Sequence, residues 1–167
     1  SLPNSDIRVY KQFIKATEYW QSLQELDWQY KTIKMGNNTC IQNRQTYLCG
    51  DKGVQFKYSG TNTLGDGLYP DVIKELMTLV ETELYVKFNF CLANYYTDGT
   101  QNIGMHSDSI QKGPIVTLSF GATRFFDFKS IDGLHKERLT LEEGTMLVMD
   151  VEKTQKNYKH GIQFKKK

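Results

Sequence analysis

The chain has 167 residues, a length that suits one domain with a core of its own. Its 21 Lys and Arg residues nearly balance 19 Asp and Glu, so the net charge of +2 does not predict nucleic-acid binding, although it leaves room for a local basic face. The three cysteines form no C-x-x-C pair, which argues against a disulfide framework or a cysteine zinc site. With no signal-peptide pattern and no apolar run of about 20 residues, the sequence predicts an intracellular protein, cytoplasmic or nuclear.

The N-terminal part predicts a short strand over Ile7 to Tyr10 and then a helix from Ala16 to Leu26. Apolar residues at close to helical spacing form one stripe that we expect to face the core: Ala16, Trp20, Leu23 and Leu26. Residues Met35 to Asn43 are polar and indicate a loop, and Tyr58 to Gly67 has the composition of a turn-rich connection.

Pro70 opens a second predicted helix, at a position where its missing N–H costs nothing. The core-facing stripe of this helix is Val72, Leu76, Leu79 and Val80. After Leu84 the apolar period changes to two, which predicts a strand from Phe88 to Tyr96 with Asn94 and Tyr96 on one face. Further strands are predicted at Ile115–Phe120, Arg124–Phe128, Glu137–Leu141 and Thr145–Met149. Two helices followed by antiparallel strands indicate an α+β fold, with a sandwich or jelly roll behind the helices.

His106 and Asp108 form an H-x-D pair next to a strand-like segment. On a strand this spacing directs both side chains to the same face, where imidazole and carboxylate can bind one cation. The pair alone is weak, because a polar loop before a buried strand would carry the same residues.

His160, in the segment YKHGI, is a candidate third ligand, because a C-terminal strand can return beside the strand that carries His106. Two histidines and one carboxylate form the facial triad of non-haem Fe(II) oxygenases. The alternative is an ordinary histidine at the edge of the core. The remaining histidine, His135, lies in a polar connection and is expected to be exposed.

Several segments of the chain resemble, in order, those of a known family. They are RQTYLCGDKGVQFKYSG (44–60), ANYYTDGTQNIGMHSD (93–108), PIVTLSFGATRFFDF (114–128), GTMLVMD (144–150) and YKHGI (158–162). Together they resemble the AlkB-type Fe(II)/2-oxoglutarate dioxygenases, which remove alkyl groups from nucleic acids. The resemblance runs from about residue 8 to residue 164 and implies one domain over 1–167. It also implies a double-stranded β-helix (jelly-roll) core with N-terminal helices packed against it.

By this resemblance, His106, Asp108 and His160 would hold Fe(II), while Asn94 and Tyr96 would hydrogen-bond 2-oxoglutarate. The implied activity is oxidative demethylation of N-alkylated bases in DNA or RNA by a monomeric enzyme that does not act at a membrane. It consumes O2, converts 2-oxoglutarate to succinate and CO2, and releases the alkyl group as an aldehyde.

A base that undergoes chemistry must leave its stack and be held between apolar or aromatic faces. Tyr47, Phe56 and Tyr58 are candidates for that pocket, although plain strand packing explains them equally well. Basic residues that could contact substrate phosphates are Arg44, Lys52 and Lys57, although ordinary surface charge explains them at least as well. Arg124 is either a salt-bridged edge residue or part of the active-site wall.

The sequence departs from the family pattern at two places. Ser109 and Ile110 follow the H-x-D pair where repair members commonly carry an acid, so the preferred base is open. No R-x-N/S-x-x-F-R strand follows His160, and arginines bind carboxylates in a bidentate way that lysines do not. We therefore expect a truncated or shortened domain that binds 2-oxoglutarate weakly. The alternatives are a nucleic-acid-binding relative without turnover, and a dioxygenase acting on a protein or a small molecule.

Overall fold

The computed structural model describes residues 2–58, 61–108, 110 and 112–165. The side chain of Tyr58, all of Ser109 and the terminal Lys166 and Lys167 lie outside the described residues. In the part of the chain that is described, no helix has both the length and the apolar character that crossing a membrane requires.

Strands dominate the secondary structure. They are β1 (Ile7–Tyr10), β2 (Gln29–Met35), β3 (Asn38–Gly50), β4 (Gln55–Tyr58), β5 (Thr61–Leu64), β6 (Phe90–Tyr95), β7 (Ile103–His106), β8 (Ile115–Leu118), β9 (Arg124–Ser130), β10 (Lys136–Leu141), β11 (Met146–Met149) and β12 (Tyr158–Ile162). The α-helices are α1 (Trp20–Gln24) and α2 (Asp71–Leu84), with a 3-10 turn at Ala16–Glu18 and a π-helical turn at Val151–Gln155.

Contacts divide the chain into two compact units. Unit 1 comprises Ser1–Gln21 and Gly99–Lys167, and unit 2 comprises Ser22–Asp98.

Unit 1 contains two antiparallel sheets, as expected for a jelly roll. One has the strand order β1-β11-β8 and the other β10-β9-β12-β7. Both sheets supply side chains to one hydrophobic core, because their buried faces carry large apolar residues. The buried members of this core are Phe126, Phe128, Leu141, Leu147, Met149 and Tyr158.

Unit 2 contains the antiparallel sheet β2-β3-β6, the hairpin β4-β5 and helix α2. The register of β3 and β6 places Thr46 opposite Asn94 and Cys49 opposite Cys91. Helix α2 starts after Pro70, as the sequence predicts, and buries Ile73, Leu76 and Val80. The predicted stripe was therefore partly wrong, since Leu79 is 39% exposed.

The first predicted helix was too long. Only the 3-10 turn and the five-residue helix α1 form within Ala16 to Leu26, and Trp20 remains 37% exposed. The apolar stripe thus crosses two short elements instead of one helix face. Helix α1 buries none of its residues, and the packing of N-terminal helices against the core stays a prediction.

The loop predicted over Met35 to Asn43 was also wrong. This segment is the tip of the β2–β3 hairpin, whose two-residue turn begins at Gly36 with a φ of 62°. Most flanking strand residues are polar, Met35 and Ile41 are exposed, and the buried Gln42 is polar, so the sequence shows no alternation of apolar and polar residues. The segment Tyr58 to Gly67 likewise includes strand β5.

Replacing Phe128, which is 1% exposed, should create a cavity in the core of unit 1. We expect Phe128→Ala to lower the free energy of unfolding by about 3–5 kcal/mol. Ile131→Ala, at a position 61% exposed, is the control and should change it little. Urea titrations of both variants measure this, and equal effects would contradict the assigned core.

Candidate metal centre

The pairing of β7 with β12 brings two histidines together. In this antiparallel pair His160 lies directly opposite His106, although the residues are 54 positions apart in the chain. Directly opposite residues project their side chains to the same face of a sheet. The imidazole centroids are accordingly 4.4 Å apart.

Gly161 permits this close pairing. A Cβ atom at position 161 would lie 2.8 Å from the carbonyl oxygen of Ile103 and 3.0 Å from that of Gly104. Both contacts are with the backbone of β7, so a side chain here would force the two strands apart. The glycine that follows His160 therefore keeps the register of the two histidines.

Asp108 completes a cluster with the two histidines. Its Oδ1 lies 3.3 Å from His106 Nε2, and its Oδ2 lies 3.3 Å from His160 Nε2. The three possible ligand atoms all lie within 4.8 Å of one another. Two imidazole nitrogens and a carboxylate at such separations can bind a divalent cation.

Asp108 does not lie on the strand, contrary to the geometry assumed for the H-x-D pair. Strand β7 ends at His106, and Asp108 is two residues further along. Its position is held instead by contacts with the first residue of β12 and with the turn before it. Ser107 Oγ donates to Tyr158 O at 3.0 Å, and the Asp108 N–H donates to Gln155 Oε1 at 3.0 Å.

Neighbouring groups orient both imidazoles. His106 Nδ1 lies 2.7 Å from Gly104 O, and donation of a proton to this carbonyl leaves Nε2 as the metal-binding nitrogen. The His160 side chain is buried and its ring stacks on Phe126, with centroids 5.3 Å apart and planes within 10°. Phe126 and Phe128, which were not among the predicted site residues, therefore form its apolar side.

The carboxyl group of Asp108 is held in its charged form. Burial alone would raise its pKa, but contacts with the His106 and His160 imidazoles outweigh burial and hold the pKa well below its usual range. A lowered pKa means that the group stays ionised through the neutral range. Asp108 is thus available as an anionic ligand without having to lose a proton.

Unit 2 contains a second polar contact between residues named from the sequence. Arg44 is only 6% exposed, and its Nε donates to Asn94 Oδ1 at 2.7 Å. This burial argues against both suggestions for Arg44, a contact with phosphate and an ordinary surface charge. Because Arg44 donates to the oxygen of the Asn94 amide, Asn94 Nδ2 is left to donate to other groups. Tyr96 is half-buried and lies just beyond the end of β6.

The remaining predicted residues differ in their surroundings. Phe56 is buried and stacks on Phe90 with centroids 4.9 Å apart, which favours the packing explanation. Tyr47 is half-buried, and Lys52 and Lys57 are exposed. Arg124 Nη2 donates to two main-chain oxygens, at 2.8 Å to Gln101 and 3.1 Å to Gln163. His135 is exposed, as predicted.

Comparison with known proteins agrees with this site. Residues 6–167 match the family model of the 2OG-Fe(II) oxygenase superfamily. Human DNA oxidative demethylase ALKBH2 is 32% identical over 136 residues, covering 74% of this chain and 51% of that protein. Human alpha-ketoglutarate-dependent dioxygenase alkB homolog 3 is 28% identical over 175 residues, covering 95% of this chain and 60% of the relative. This chain thus spans only about half the length of ALKBH2.

The solved structure of OsALKBH1 has the same fold. Its TM-score is 0.63 at 15% sequence identity, over 99% of this chain and 89% of the other. The fold and the His-Asp-His cluster are those of a non-haem iron oxygenase. The chain belongs to the 2OG-Fe(II) oxygenase superfamily, which confirms the AlkB resemblance and the cofactors implied by it: Fe(II), 2-oxoglutarate and O2.

Removal of either histidine of the cluster should remove metal binding. Loss of a group that only orients a metal ligand weakens metal binding by up to roughly 100-fold. Because His106→Ala and His160→Ala each remove a ligand itself, we expect them to weaken Mn²⁺ binding by more than this. His135→Ala is the matched control and should bind normally, because His135 is exposed and outside the cluster. Titration calorimetry measures the three affinities, and a comparable loss in His135→Ala would contradict the assignment.

Proposed function

We propose that this chain is an Fe(II)/2-oxoglutarate-dependent oxidative demethylase for N-alkylated bases in DNA or RNA. The observation that carries the proposal is the cluster of His106, Asp108 and His160, in which one possible ligand atom from each residue lies within 4.8 Å of the others. A facial set of two imidazoles and one carboxylate leaves coordination positions open, as an oxygenase requires.

The residues present fit Fe(II). Imidazole nitrogens suit iron, and the single carboxylate offsets part of the charge of a divalent cation in a partly buried site. Iron, when bound, supplies the redox chemistry that couples decarboxylation of 2-oxoglutarate to hydroxylation of an alkyl carbon. The chain's own groups hold the ligands in place: Gly104 O orients His106, and Phe126 covers one face of His160.

Asn94 and Tyr96 are the proposed donors to 2-oxoglutarate. A dicarboxylate needs hydrogen-bond donors, and an amide offers them only through its nitrogen. Arg44 engages the Asn94 oxygen at 2.7 Å, so the amide orientation suits this role. In this reading Arg44 acts through Asn94 and is a positioning residue.

An alkylated nucleic acid is the proposed substrate. The support is the relatives, since human ALKBH2 is named a DNA oxidative demethylase and is 32% identical over the aligned region. Tyr47, half-buried on β3, remains a candidate for stacking against an extruded base. The exposed Lys52 and Lys57 remain candidates for phosphate contacts.

The direct test is the mass of a short N-methylated oligonucleotide after incubation with the protein, Fe(II), 2-oxoglutarate and ascorbate. We expect each lesion to lose one methylene, with the loss abolished in His106→Ala and retained in His135→Ala. Succinate formation without a change in the oligonucleotide would favour a protein or small-molecule substrate. No succinate at all, although metal binds, would favour a binding protein without turnover.

Arg44→Met should impair use of 2-oxoglutarate, because the Asn94 amide would be free to rotate and offer its oxygen. We expect the KM for 2-oxoglutarate to rise roughly tenfold, equivalent to about 1.4 kcal/mol, with a smaller change in kcat. Lys74→Met removes an exposed cation of the same unit that has no assigned role, and it should leave the KM unchanged. An unaltered KM in a folded Arg44→Met protein would refute the positioning role.

A further inference from the structure

Gln155 is a buried residue whose side chain contacts Asp108 at two points. It is 6% exposed and is the last residue of the π-helical turn Val151–Gln155. Its Oε1 accepts a hydrogen bond from the Asp108 N–H at 3.0 Å, and its Nε2 donates to Asp108 Oδ2 at 3.4 Å. A single amide thus engages both the main chain and the carboxylate of Asp108.

The two contacts also assign the orientation of the Gln155 amide. A main-chain N–H needs an acceptor and a carboxylate needs a donor, so oxygen must face the first and nitrogen the second. The same nitrogen lies 3.1 Å from Met149 Sδ, a weak acceptor in the buried strand β11. The Gln155 amide is therefore held by a contact with β11 in addition to its two contacts with Asp108.

The turn that carries Gln155 is itself firmly anchored. Asp150 accepts hydrogen bonds from Lys153 N at 3.0 Å and Thr154 N at 2.9 Å. Thr154 is 1% exposed, and its Oγ1 accepts from Asp6 N at 2.9 Å, next to strand β1. These bonds fix the main chain directly before Gln155. Single π-helical turns of this kind are often found at functional sites.

Asp108 needs such support because the sheet does not provide it. The residue lies two positions after the end of β7, so its main chain is outside the strand ladder that fixes His106. A carboxylate on a short side chain can rotate, and rotation would move its oxygens away from the two Nε2 atoms. Contacts that orient a ligand in this way raise its affinity for metal.

We propose that Gln155 is a positioning residue for the metal centre, which fixes the main chain and the carboxylate plane of Asp108 so that it can act as a ligand. This inference rests on the proposed function, because it takes His106, Asp108 and His160 as the metal ligands. Gln155 acts through Asp108 and does not itself bind the metal.

A purely structural role for Gln155 makes a different prediction. If the amide only tied two segments together, its loss would lower the melting temperature of the metal-free protein, but the folded fraction would bind metal normally. Positioning instead predicts weaker metal binding by folded protein, together with a changed coordination geometry. The visible absorption of bound Co²⁺ reports that geometry separately from affinity and from turnover.

The test compares Gln155→Met and Gln155→Asn with the wild type. Methionine keeps the length without the donor and acceptor, whereas asparagine keeps the amide but is one methylene too short to reach both atoms of Asp108. Gln21→Met, at an exposed position of the same unit, is the matched control. Circular dichroism verifies folding, anaerobic calorimetry measures Mn²⁺ affinity, and the Co²⁺ spectrum is recorded for each protein.

We expect both Gln155 variants to bind Mn²⁺ about 10–100-fold more weakly than wild type, with an altered Co²⁺ spectrum, and Gln21→Met to match wild type. If Gln155→Met does not fold, Gln155→Asn decides the question by the same two measurements. Wild-type affinity and spectrum in a folded Gln155 variant would overturn the inference and leave the metal centre intact. Failure of the wild-type protein to bind Mn²⁺ would overturn the proposed metal centre itself.

Discussion

The antiparallel register of β7 and β12 is the constraint on which the site depends. It places His160 opposite His106 and brings the following Asp108 within 3.3 Å of both Nε2 atoms. A shift of one residue would turn one histidine to the other face of the sheet. Gly161 permits the close approach of these strands, and β9 pairs with the other edge of β12. Strand β12 is therefore held at both edges, by β7 on one side and by β9, a strand of the unit 1 core, on the other.

For three polar side chains of the proposed sites, a contact with a neighbouring group determines which atoms are left to bind a metal or an anion. Gly104 O engages Nδ1 of His106, Gln155 engages Asp108, and Arg44 engages the oxygen of Asn94. Such contacts reduce the entropy cost of ordering a ligand group when a metal or an anion binds. Each of these contacts joins two residues of the same unit, so the side chains are already oriented before a metal or an anion binds.

The strands of unit 1 could be predicted well, because period-two patterns bounded by Gly or Asp appear there in an unbroken series. The β2–β3 hairpin could not, because its tip has polar residues on both faces and exposes even Ile41. The helical stripe beginning at Ala16 failed for a different reason: spacing alone does not show whether neighbouring apolar residues belong to one element. Of the aromatic pocket candidates, Phe56 packs on Phe90, a partner 34 residues away in the sequence.

By itself, the sequence determined the family, the β-rich architecture and the three side chains that meet in the His-Asp-His cluster. Those features depend on residue type, local period and ordered motifs, all of which are readable along the chain. Only the tertiary structure decided that Asp108 lies beyond its strand, that Gln155 holds it, and that Arg44 is buried against Asn94. The last two relations join residues 47 and 50 positions apart, and hydrogen bonds between such residues leave no local pattern in a single sequence.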